Sequence, residues 1–234
     1  MRVLGISTST SRGSAAVVED GRLLGAAVYV DLQGHAERIF GAIDEALAAA
    51  GITASGIDAL ACDVGPGSFT GVRVGVAAAK GIALALGLRV APVGSLEAMA
   101  ACALGAGAED GLMVPMIDAR KGEIFAAVYD SSLKPRLPPR HLPRSDVPAL
   151  LRELAADGRL ILLGEVAAEL DDLPADLLGD RGGERSGDGL GLPDAASVAC
   201  RGLVVLDLGP CDPADLEPLY VRAPDAKLAI TPLG

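Results

Sequence analysis

The sequence contains no tryptophan, and only 3% of its 234 residues are aromatic. A hydrophobic core must therefore be built from Val, Leu, Ile and Ala, and small residues allow backbones to pack closely. Half of the residues are hydrophobic, which is typical of a folded protein rather than a disordered one. A chain of this length folds either as one large domain or as two lobes of about 115 residues each.

Cysteine and histidine are also scarce. The four cysteines, Cys62, Cys102, Cys200 and Cys211, form no CxxC pair, and the chain has only two histidines. This pattern disfavours a zinc site, which needs closely spaced cysteines or histidines. Scattered thiols are typical of a protein in a reducing cytosol.

Positive charge and long hydrophobic runs are limited as well. The chain has 20 basic and 31 acidic residues, a net charge of −11, so it should be repelled by phosphate backbones and not bind nucleic acid by itself. The longest apolar segment, 74–88, contains Lys80 and several glycines, and the N-terminal apolar run is too short for a signal peptide. We therefore expect a cytoplasmic protein without a membrane span.

The hydrophobic periodicity predicts three strands followed by alternating helices and strands. Strands are predicted at 2–8, 14–19, 22–30, 57–64 and 89–93, with Asp20-Gly21 as a hairpin turn. Helices are predicted at 35–50 and 69–86, and a third helix begins at Leu96 with Ser95 as its cap. This order predicts a mixed five-stranded sheet with helices on its faces, as in the ribonuclease-H-like fold, of which actin-like ATPases contain two copies.

Past residue 105 the pattern is weaker and predicts a smaller second lobe. A hairpin is expected around Arg120-Lys121-Gly122, and residues 135–143 are predicted to form a proline-rich loop. The remaining predicted elements are a helix near 146–156, a strand at 159–163, a mobile loop at 180–191 and a helix near 194–207. The chain is thus divided into a first lobe, 1–104, and a second lobe, 105–234, whose C-terminal segment could return to the first.

The stretch GPGSFTGVRVG, residues 65–75, joins a predicted strand to a predicted helix and resembles a phosphate loop. It lacks the lysine of a P-loop, and its glycines give GxGxxxG instead of the dinucleotide pattern GxGxxG. A glycine-rich turn before a helix N-terminus nevertheless offers N–H groups to an anion. A tight turn and an anion site therefore both stay open as interpretations.

The helix that follows is apolar on nearly all sides, and its only charged residues are Arg73 and Lys80. Such a helix is normally buried nearly all round, yet one sheet covers only one side of it. The residues expected to face the sheet are Val72, Val76, Ala79, Ala83 and Leu86. Either the second lobe or another chain should cover the rest, and we favour another chain. The predicted partner-interface residues are Ile39, Ile43, Gly71, Val74, Gly75, Ala78 and Ile82.

Candidate catalytic groups are few. We expect His35 and His141 to be solvent-exposed. Asp118, together with Arg120 and Lys121 at the tip of the predicted hairpin, fits a polar turn better than a catalytic site. The segment 5–9 misses the pattern GxSxG because Ser9 replaces the last glycine, and no HExxH is present.

Three segments together resemble the TsaB (YeaZ) family: GISTSTSRGSAAVVEDG, GPGSFTGVRVGVAAAKGIALAL and IDARKGEIFAAVY. The resemblance covers the first 130 residues and extends weakly to LEPLYVRAPDAK. It implies a two-lobed actin-like fold and a non-catalytic subunit of the machinery that installs threonylcarbamoyl on the adenosine beside the anticodon of certain tRNAs. The implied partners are a TsaD-type transferase, bound through the first-lobe helices, and a TsaE-type ATPase. The family also implies self-association through a similar face, and tRNA contact only through the complex.

Two departures from related sequences weaken the case for chemistry of its own. TsaD-like sequences bind metal through two histidines four residues apart, with a Glu between them. Here Ser95 and Met99 stand at the histidine positions, and only Glu97 remains. Because a hydroxyl and a thioether are poor ligands for such metals, we expect none.

The second departure is at the end of the first strand, where actin-like ATPases carry Asp-Thr near the magnesium of the nucleotide. Here Ser7-Thr8 replaces that pair, which removes a main charge partner for phosphoryl transfer. Ser7, Thr8, Gly65 and Gly67 are thus candidates for a degenerate nucleotide site. We expect no required cofactor, and weak binding of ATP or ADP stays open.

Three functions follow from these patterns. The first, which we favour, is a non-catalytic subunit that binds and activates the TsaD-type transferase. The second is an actin-like ATPase or small-molecule kinase, suggested by the glycine-rich loop. The third is a metallopeptidase, a label that this superfamily has attracted, and the missing histidine pair argues against it.

Overall fold

A computed structural model describes residues 1–30, 34–108, 110–169 and 191–221 of the chain. The first lobe is built on a five-stranded sheet, sheet A, with the order β3-β2-β1-β4-β5. Its strands are β1 (Arg2–Ser7), β2 (Arg12–Glu19), β3 (Arg22–Val30), β4 (Ala59–Asp63) and β5 (Arg89–Val93). Strands β1 to β3 pair antiparallel, and β4 and β5 run parallel to β1. This is the predicted mixed sheet.

The local turn signals are confirmed. Asp20 and Gly21, between paired residues Glu19 and Arg22, have φ angles of 49° and 85°. Left-handed conformation at both positions is what a two-residue type I′ hairpin requires.

Two helices, α1 (His35–Ala50) and α2 (Phe69–Leu86), pack on one face of sheet A. Both end as predicted at a left-handed glycine, Gly51 and Gly87, which closes the last turn. The third helix, α3 (Ser95–Gly105), contributes to the core on the opposite face. Its cap differs from the prediction: Gly94 occupies the N-cap position, and Ser95 is the first helical residue.

Among the described residues, α2 alone is long and apolar enough to cross a membrane by length and composition. In this fold it belongs to the core of the first lobe. Its buried residues are Gly71, Val72, Gly75, Val76, Ala78, Ala79 and Ala83.

The second lobe contains a four-stranded sheet, sheet B, with the order β8-β7-β6-β9. Its elements are β6 (Leu112–Arg120), β7 (Glu123–Tyr129), β8 (Pro135–Pro143), α4 (Val147–Ala155), β9 (Leu160–Leu163) and α5 (Glu165–Ala168). The predicted hairpin between β6 and β7 is confirmed, with Lys121 and Gly122 at φ angles of 56° and 75°. Short 3₁₀ turns occur at Ala54–Gly56, Arg144–Asp146 and Pro213–Asp215.

The prediction of a proline-rich loop at 135–143 is wrong, because these residues form β8. Proline cannot donate to a strand ladder and is normally excluded from central strands. Among the described strands, β8 lies at the edge of sheet B and pairs with β7 alone, so one side of its backbone needs no strand partner. The prolines are therefore compatible with this strand.

The last helix, α6 (Ala195–Leu208), returns to the first lobe, whereas the sequence pattern assigned it to the second. It packs on the face of sheet A opposite α1 and α2, and the Ala195 N–H donates to Ser14 Oγ at 3.0 Å. The chain then stays on this lobe, since the amides of Cys211 and Leu219 donate to the carbonyls of Val90 and Val64 at 3.1 and 2.7 Å. Within the described residues, the second lobe thus spans about 112–169. The loop predicted at 180–191 lies outside the described residues except for its last residue.

Candidate functional site

A cleft of about 760 Å³ separates the two lobes. Residues 9–11 and 66–70 line it from the first lobe, and residues 117–121 with Phe125 and Glu165 line it from the second. Residues 218–221 of the C-terminal segment form part of its edge. The glycine-rich stretch therefore opens onto a cavity, as an anion site would require.

The contacts of that stretch nevertheless favour the interpretation as a tight turn. The Gly65 N–H donates to the Asp63 carboxylate at 3.0 Å, and the Ser68 N–H donates to the Ser9 carbonyl at 2.6 Å. A Cβ atom at Gly67 would overlap the Ser9 carbonyl oxygen. Gly67 thus lets two backbone segments approach, and two of the amides are already bonded within the chain.

The next glycines, Gly71 and Gly75, also serve packing inside the lobe. A Cβ atom at Gly71 would overlap the carbonyl oxygen of Thr8, and one at Gly75 would overlap its Oγ1. The Thr8 hydroxyl donates to the Gly71 carbonyl at 2.8 Å. The first two turns of α2 therefore rest on the loop that follows β1.

These contacts revise the predicted partner surface. Of the predicted interface residues, five are buried in the core of the first lobe: Ile39, Ile43, Gly71, Gly75 and Ala78. Val74 and Ile82 are partly exposed and pack against the same core. Sheet A covers one side of α2, and the loop after β1 covers a second side that was predicted to be exposed. The exposed face of α2 is therefore narrower than predicted and consists of other residues.

The surface that α1 and α2 leave exposed is different but still apolar. The side chains of Phe40 and Leu84 are 53% and 62% exposed. Gly41 and Gly81 face open space, because an added Cβ atom would meet nothing within 4 Å. Together with the exposed Ala77, these residues define what we call the outer surface of α1 and α2.

One flank of α2 is covered by residues beyond 105, so the chain closes part of the apolar helix by itself. Leu216 is 1% exposed in the first-lobe core, and the turn Pro213–Asp215 contacts α2. Arg73 donates through Nε to the Tyr220 hydroxyl at 2.9 Å, and its guanidinium carbon lies 3.7 Å from the centre of the Phe69 ring. This segment leaves the outer surface of α1 and α2 exposed.

The prediction that His35 is solvent-exposed is wrong. The side chain is 5% exposed, its Nε2 donates to the Thr10 carbonyl at 2.9 Å, and its Nδ1 accepts from the Tyr29 hydroxyl at 3.1 Å. It ties the start of α1 to the loop after β1. His141 is exposed, as predicted.

The second-lobe wall of the cleft carries both signs of charge. The Arg120 N–H donates to Asp118 Oδ1 at 3.0 Å, which is the polar turn expected from the sequence. Lys121 and Glu165 line the cleft beside them. Burial raises the pKa of Glu165, and the neighbouring charge of Asp118 raises it further. Sequence analysis missed Glu165, because only the fold brings α5 to the cleft.

A group that sequence analysis also missed is the fully buried carboxylate of Asp63, at the end of β4. It accepts hydrogen bonds from the hydroxyls of Ser7 at 2.7 Å, Ser9 at 2.5 Å and Ser95 at 2.5 Å. Burial raises the pKa of Asp63, and these hydrogen bonds, with the one from the Gly65 N–H, oppose that rise. The Ser95 hydroxyl therefore donates to Asp63 instead of capping the N-terminus of α3.

The residues at the positions where TsaD-like sequences carry metal-binding histidines do not fit a metal ion. Ser95 is bonded to Asp63, Met99 is 1% exposed in a hydrophobic core, and Glu97 forms an ion pair with Arg201 at 2.5 Å. Within the described parts of the chain, no three His, Cys, Asp or Glu side chains are grouped as a metal would require.

The first-lobe residues do not fit magnesium-bound nucleotide either. Ser7 and Thr8 are fully buried, and their hydroxyls are bonded to Asp63 and Gly71. The Asp63 carboxylate, to which Ser7 is bonded, is equally buried. We therefore derive no catalytic step through a nucleotide or a metal.

Comparison with curated proteins gives matches over most of the chain. It is 34% identical to an uncharacterized protein of Mycobacterium tuberculosis over 229 residues, 96% of this chain and 93% of that one. It is 28% identical to the tRNA threonylcarbamoyladenosine biosynthesis protein TsaB of Bacillus subtilis over 185 residues, 78% and 79% of the two chains. The TsaB of Escherichia coli is 38% identical over 131 residues, 55% of each chain.

A family model and solved structures agree with these relatives. The model described as TsaD, tRNA N6-adenosine threonylcarbamoyltransferase, matches residues 30–135. YeaZ from Pseudomonas aeruginosa superposes with a TM-score of 0.73 at 26% identity, covering 94% of this chain and 99% of that one. A ROK hexokinase from Thermus thermophilus superposes at 0.53 with 15% identity, over 89% of this chain and all of that one, and shares the fold alone. The predicted two-lobed actin-like fold is confirmed.

Proposed function

The chain belongs to the TsaB (YeaZ) family, and from this membership we propose that it is a non-catalytic subunit that binds and activates a TsaD-type transferase. The two proteins would act together in tRNA threonylcarbamoyladenosine biosynthesis, the process that appears in the names of the TsaB relatives. The observation that carries the proposal is the outer surface of α1 and α2, which is apolar and exposed.

The composition of that surface suits a helical partner. Leu84 and Phe40 offer large apolar side chains that are little more than half exposed, and burying the exposed part of each contributes about 1–2 kcal/mol. Gly41, Ala77 and Gly81 present almost no side chain, so the backbone of a partner helix could approach closely. Larger side chains would hold such a helix away.

Charged groups border the outer surface unevenly. Helix α1 exposes three acidic residues, Glu37, Asp44 and Glu45, and one basic residue, Arg38, whereas the charged residues of α2 are Arg73 and Lys80. A partner with the opposite arrangement would meet complementary charge on both helices, which favours one orientation. A second copy of this chain could use the same face when the transferase is absent.

The packing of the first lobe next to the cleft supports a subunit without its own chemistry. Ser7 and Thr8 stand where actin-like ATPases carry Asp-Thr, and Ser95 stands where TsaD-like sequences carry a metal-binding histidine. The hydroxyls of all three are hydrogen-bonded inside the protein. The net charge of −11 supports tRNA contact through the complex rather than by this chain alone. A TsaE-type ATPase would supply nucleotide hydrolysis, and the assembly would be cytoplasmic.

Substitutions on the outer surface of α1 and α2 test the proposal. Leu84→Glu places a charge where the apolar contact is proposed, and it should weaken binding to the TsaD-type subunit at least tenfold, about 1.4 kcal/mol. Gly81→Glu should act in the same way. The affinity is measured by calorimetric titration, with tRNA modification by the reconstituted complex as a second measurement.

The matched control is Leu208→Glu, the same change at a leucine that is 81% exposed on α6, behind sheet A. It should leave the affinity unchanged within twofold. If Leu84→Glu and Gly81→Glu bind as tightly as this control, the proposed surface is wrong. Gly75→Leu would not serve, because Gly75 faces Thr8 and its substitution would disturb the fold.

The second candidate function, an ATPase or small-molecule kinase, is favoured by the cleft of about 760 Å³ between the lobes. An Asp118→Asn variant tests it without touching the packed glycines, since Asp118 lines the cleft wall. Magnesium-dependent ATP hydrolysis by the purified chain that is lost in this variant would support an enzyme. Binding of ATP or ADP without turnover would fit a degenerate nucleotide site instead.

A further inference from the structure

The buried Asp63 side chain accepts four hydrogen bonds and so joins its own segment to residues 7–9 and to Ser95. One carboxylate oxygen accepts from the Ser7 and Ser9 hydroxyls, and the other accepts from the Ser95 hydroxyl and the Gly65 N–H. The donors belong to the end of β1, the loop after it, the start of α3 and the glycine-rich turn. Each oxygen thus has two donors.

The surroundings are those of a protein anion site. Within the described part of the chain, Asp63 forms no ion pair, so the hydrogen bonds must replace the water lost on burial. Backbone N–H groups can only donate, and the first turn of α3, where Ser95 lies, favours negative charge through the helix dipole. The hydroxyl distances of 2.5–2.7 Å are those of hydrogen bonds to an ionised oxygen.

We propose that Asp63 is a built-in anion: its carboxylate permanently occupies an anion-binding site formed by Ser7, Ser9, Gly65 and Ser95. The lobe is then held in its assembled form without a bound ligand. A truncated side chain at position 63 would leave four donors around a small cavity, and that cavity should bind a small free carboxylate such as formate. This inference does not depend on the proposed function.

The position of the cluster has a consequence for the cleft above it. Ser9 lines the cleft but directs its hydroxyl to Asp63. Gly65, which directly precedes the cleft-lining Pro66, directs its N–H to the same carboxylate. A ligand in the cleft therefore cannot use these two donors unless Asp63 gives them up. The built-in anion thus engages the Gly65 N–H, which a glycine-rich turn could otherwise offer to a phosphate.

The test is chemical rescue of Asp63→Ala. The variant should melt about 6–12 °C below the wild type, because several buried donors lose their acceptor. At about 100 mM sodium formate it should recover about 3–6 °C relative to sodium chloride of the same concentration, for a dissociation constant of about 10 mM. The wild type should shift by less than about 1 °C, because its site is already filled.

Three controls make every outcome informative. Ser95→Ala keeps the carboxylate and removes one donor, so it should be destabilised without recovery in formate. Neutral formamide should not rescue Asp63→Ala. Asp63→Asn, which keeps the shape but not the charge, should be clearly less stable than the wild type at neutral pH.

The proposal is overturned if formate and chloride affect Asp63→Ala equally, or if Asp63→Asn is as stable as the wild type. The latter result would mean that the site holds a neutral group. Should Asp63→Ala not fold in chloride, the measurement becomes its refolding yield from urea in formate against chloride. Equal yields would then contradict the built-in anion.

Discussion

The same substitution, glycine to alanine, should stabilise the protein at one position of α2 and destabilise it at two others. At Gly81 the new methyl group meets open space, and alanine has the higher helix propensity by about 0.8–1 kcal/mol. Gly81→Ala should therefore raise the melting temperature by about 2–4 °C. At Gly75 the methyl group would overlap Thr8 Oγ1, which donates to the Gly71 carbonyl. The Thr8 side chain must rotate and give up that hydrogen bond.

The cost at Gly75 combines a lost hydrogen bond of about 1 kcal/mol with overpacking of about 1–3 kcal/mol, and the propensity gain offsets about 1 kcal/mol. Gly75→Ala should thus be destabilised by about 1–3 kcal/mol. At Gly71 the obstacle is the Thr8 carbonyl oxygen, which belongs to the backbone and cannot rotate away. Gly71→Ala should be the least stable of the three variants. Its free energy of unfolding should lie below that of Gly75→Ala by at least another 1–3 kcal/mol, roughly the cost of overpacking.

Urea unfolding followed by circular dichroism gives the three free energies of unfolding on one scale, and the unfolding slopes show whether two-state behaviour is kept. The expected order of stability is Gly81→Ala above the wild type, then Gly75→Ala, then Gly71→Ala. If all three variants were equally stable, the packing of α2 on the loop after β1 would be refuted. The buried and exposed faces of the helix would then have to be assigned again.

Two further predictions concern single side chains. His35→Phe removes the donor to Thr10 and the acceptor of Tyr29, so it should cost about 2 kcal/mol, measured by urea unfolding, and an unchanged midpoint would contradict the buried network. Glu165→Gln tests the raised pKa of Glu165: a raised folded-state pKa adds stability at low pH that is lost as pH rises through that pKa. The variant should therefore match the wild type at about pH 4 and be the more stable of the two at about pH 8, and a difference that is the same at both values would contradict the shift.

Elements whose signals are local were predictable from the sequence. The hairpin at Asp20-Gly21 and the helix ends at Gly51 and Gly87 depend on residues that adopt left-handed conformations, and the structure has all of them. Strand β8 was not predictable in this way. Its prolines are compatible with a strand only because it lies at the sheet edge, and edge position depends on the order of the other strands.

Asp63 and His35 were not predictable as buried residues, because their contacts are with segments that are distant in the sequence. Asp63 meets Ser7, Ser9 and Ser95 across 56, 54 and 32 residues of sequence. Nothing in the neighbourhood of Asp63 distinguishes it from an exposed residue at a strand end. His35 likewise has an ordinary position at a helix start, and its burial depends on the loop that carries Thr10.

The glycines of α2 show how one pattern can carry two meanings. Gly71, Gly75 and Gly81 all lie on an apolar helix, and small residues on such a helix predict close packing without saying against what. The first two pack on the chain's own loop, and the third is open. The apolar surface of α2 therefore has three parts: one faces the first-lobe core, one is covered by the segment around Leu216, and one belongs to the outer surface of α1 and α2. Under the proposed function, the last of these is the part that another molecule would cover, so Gly81 and Leu84 are the positions at which partner binding is tested.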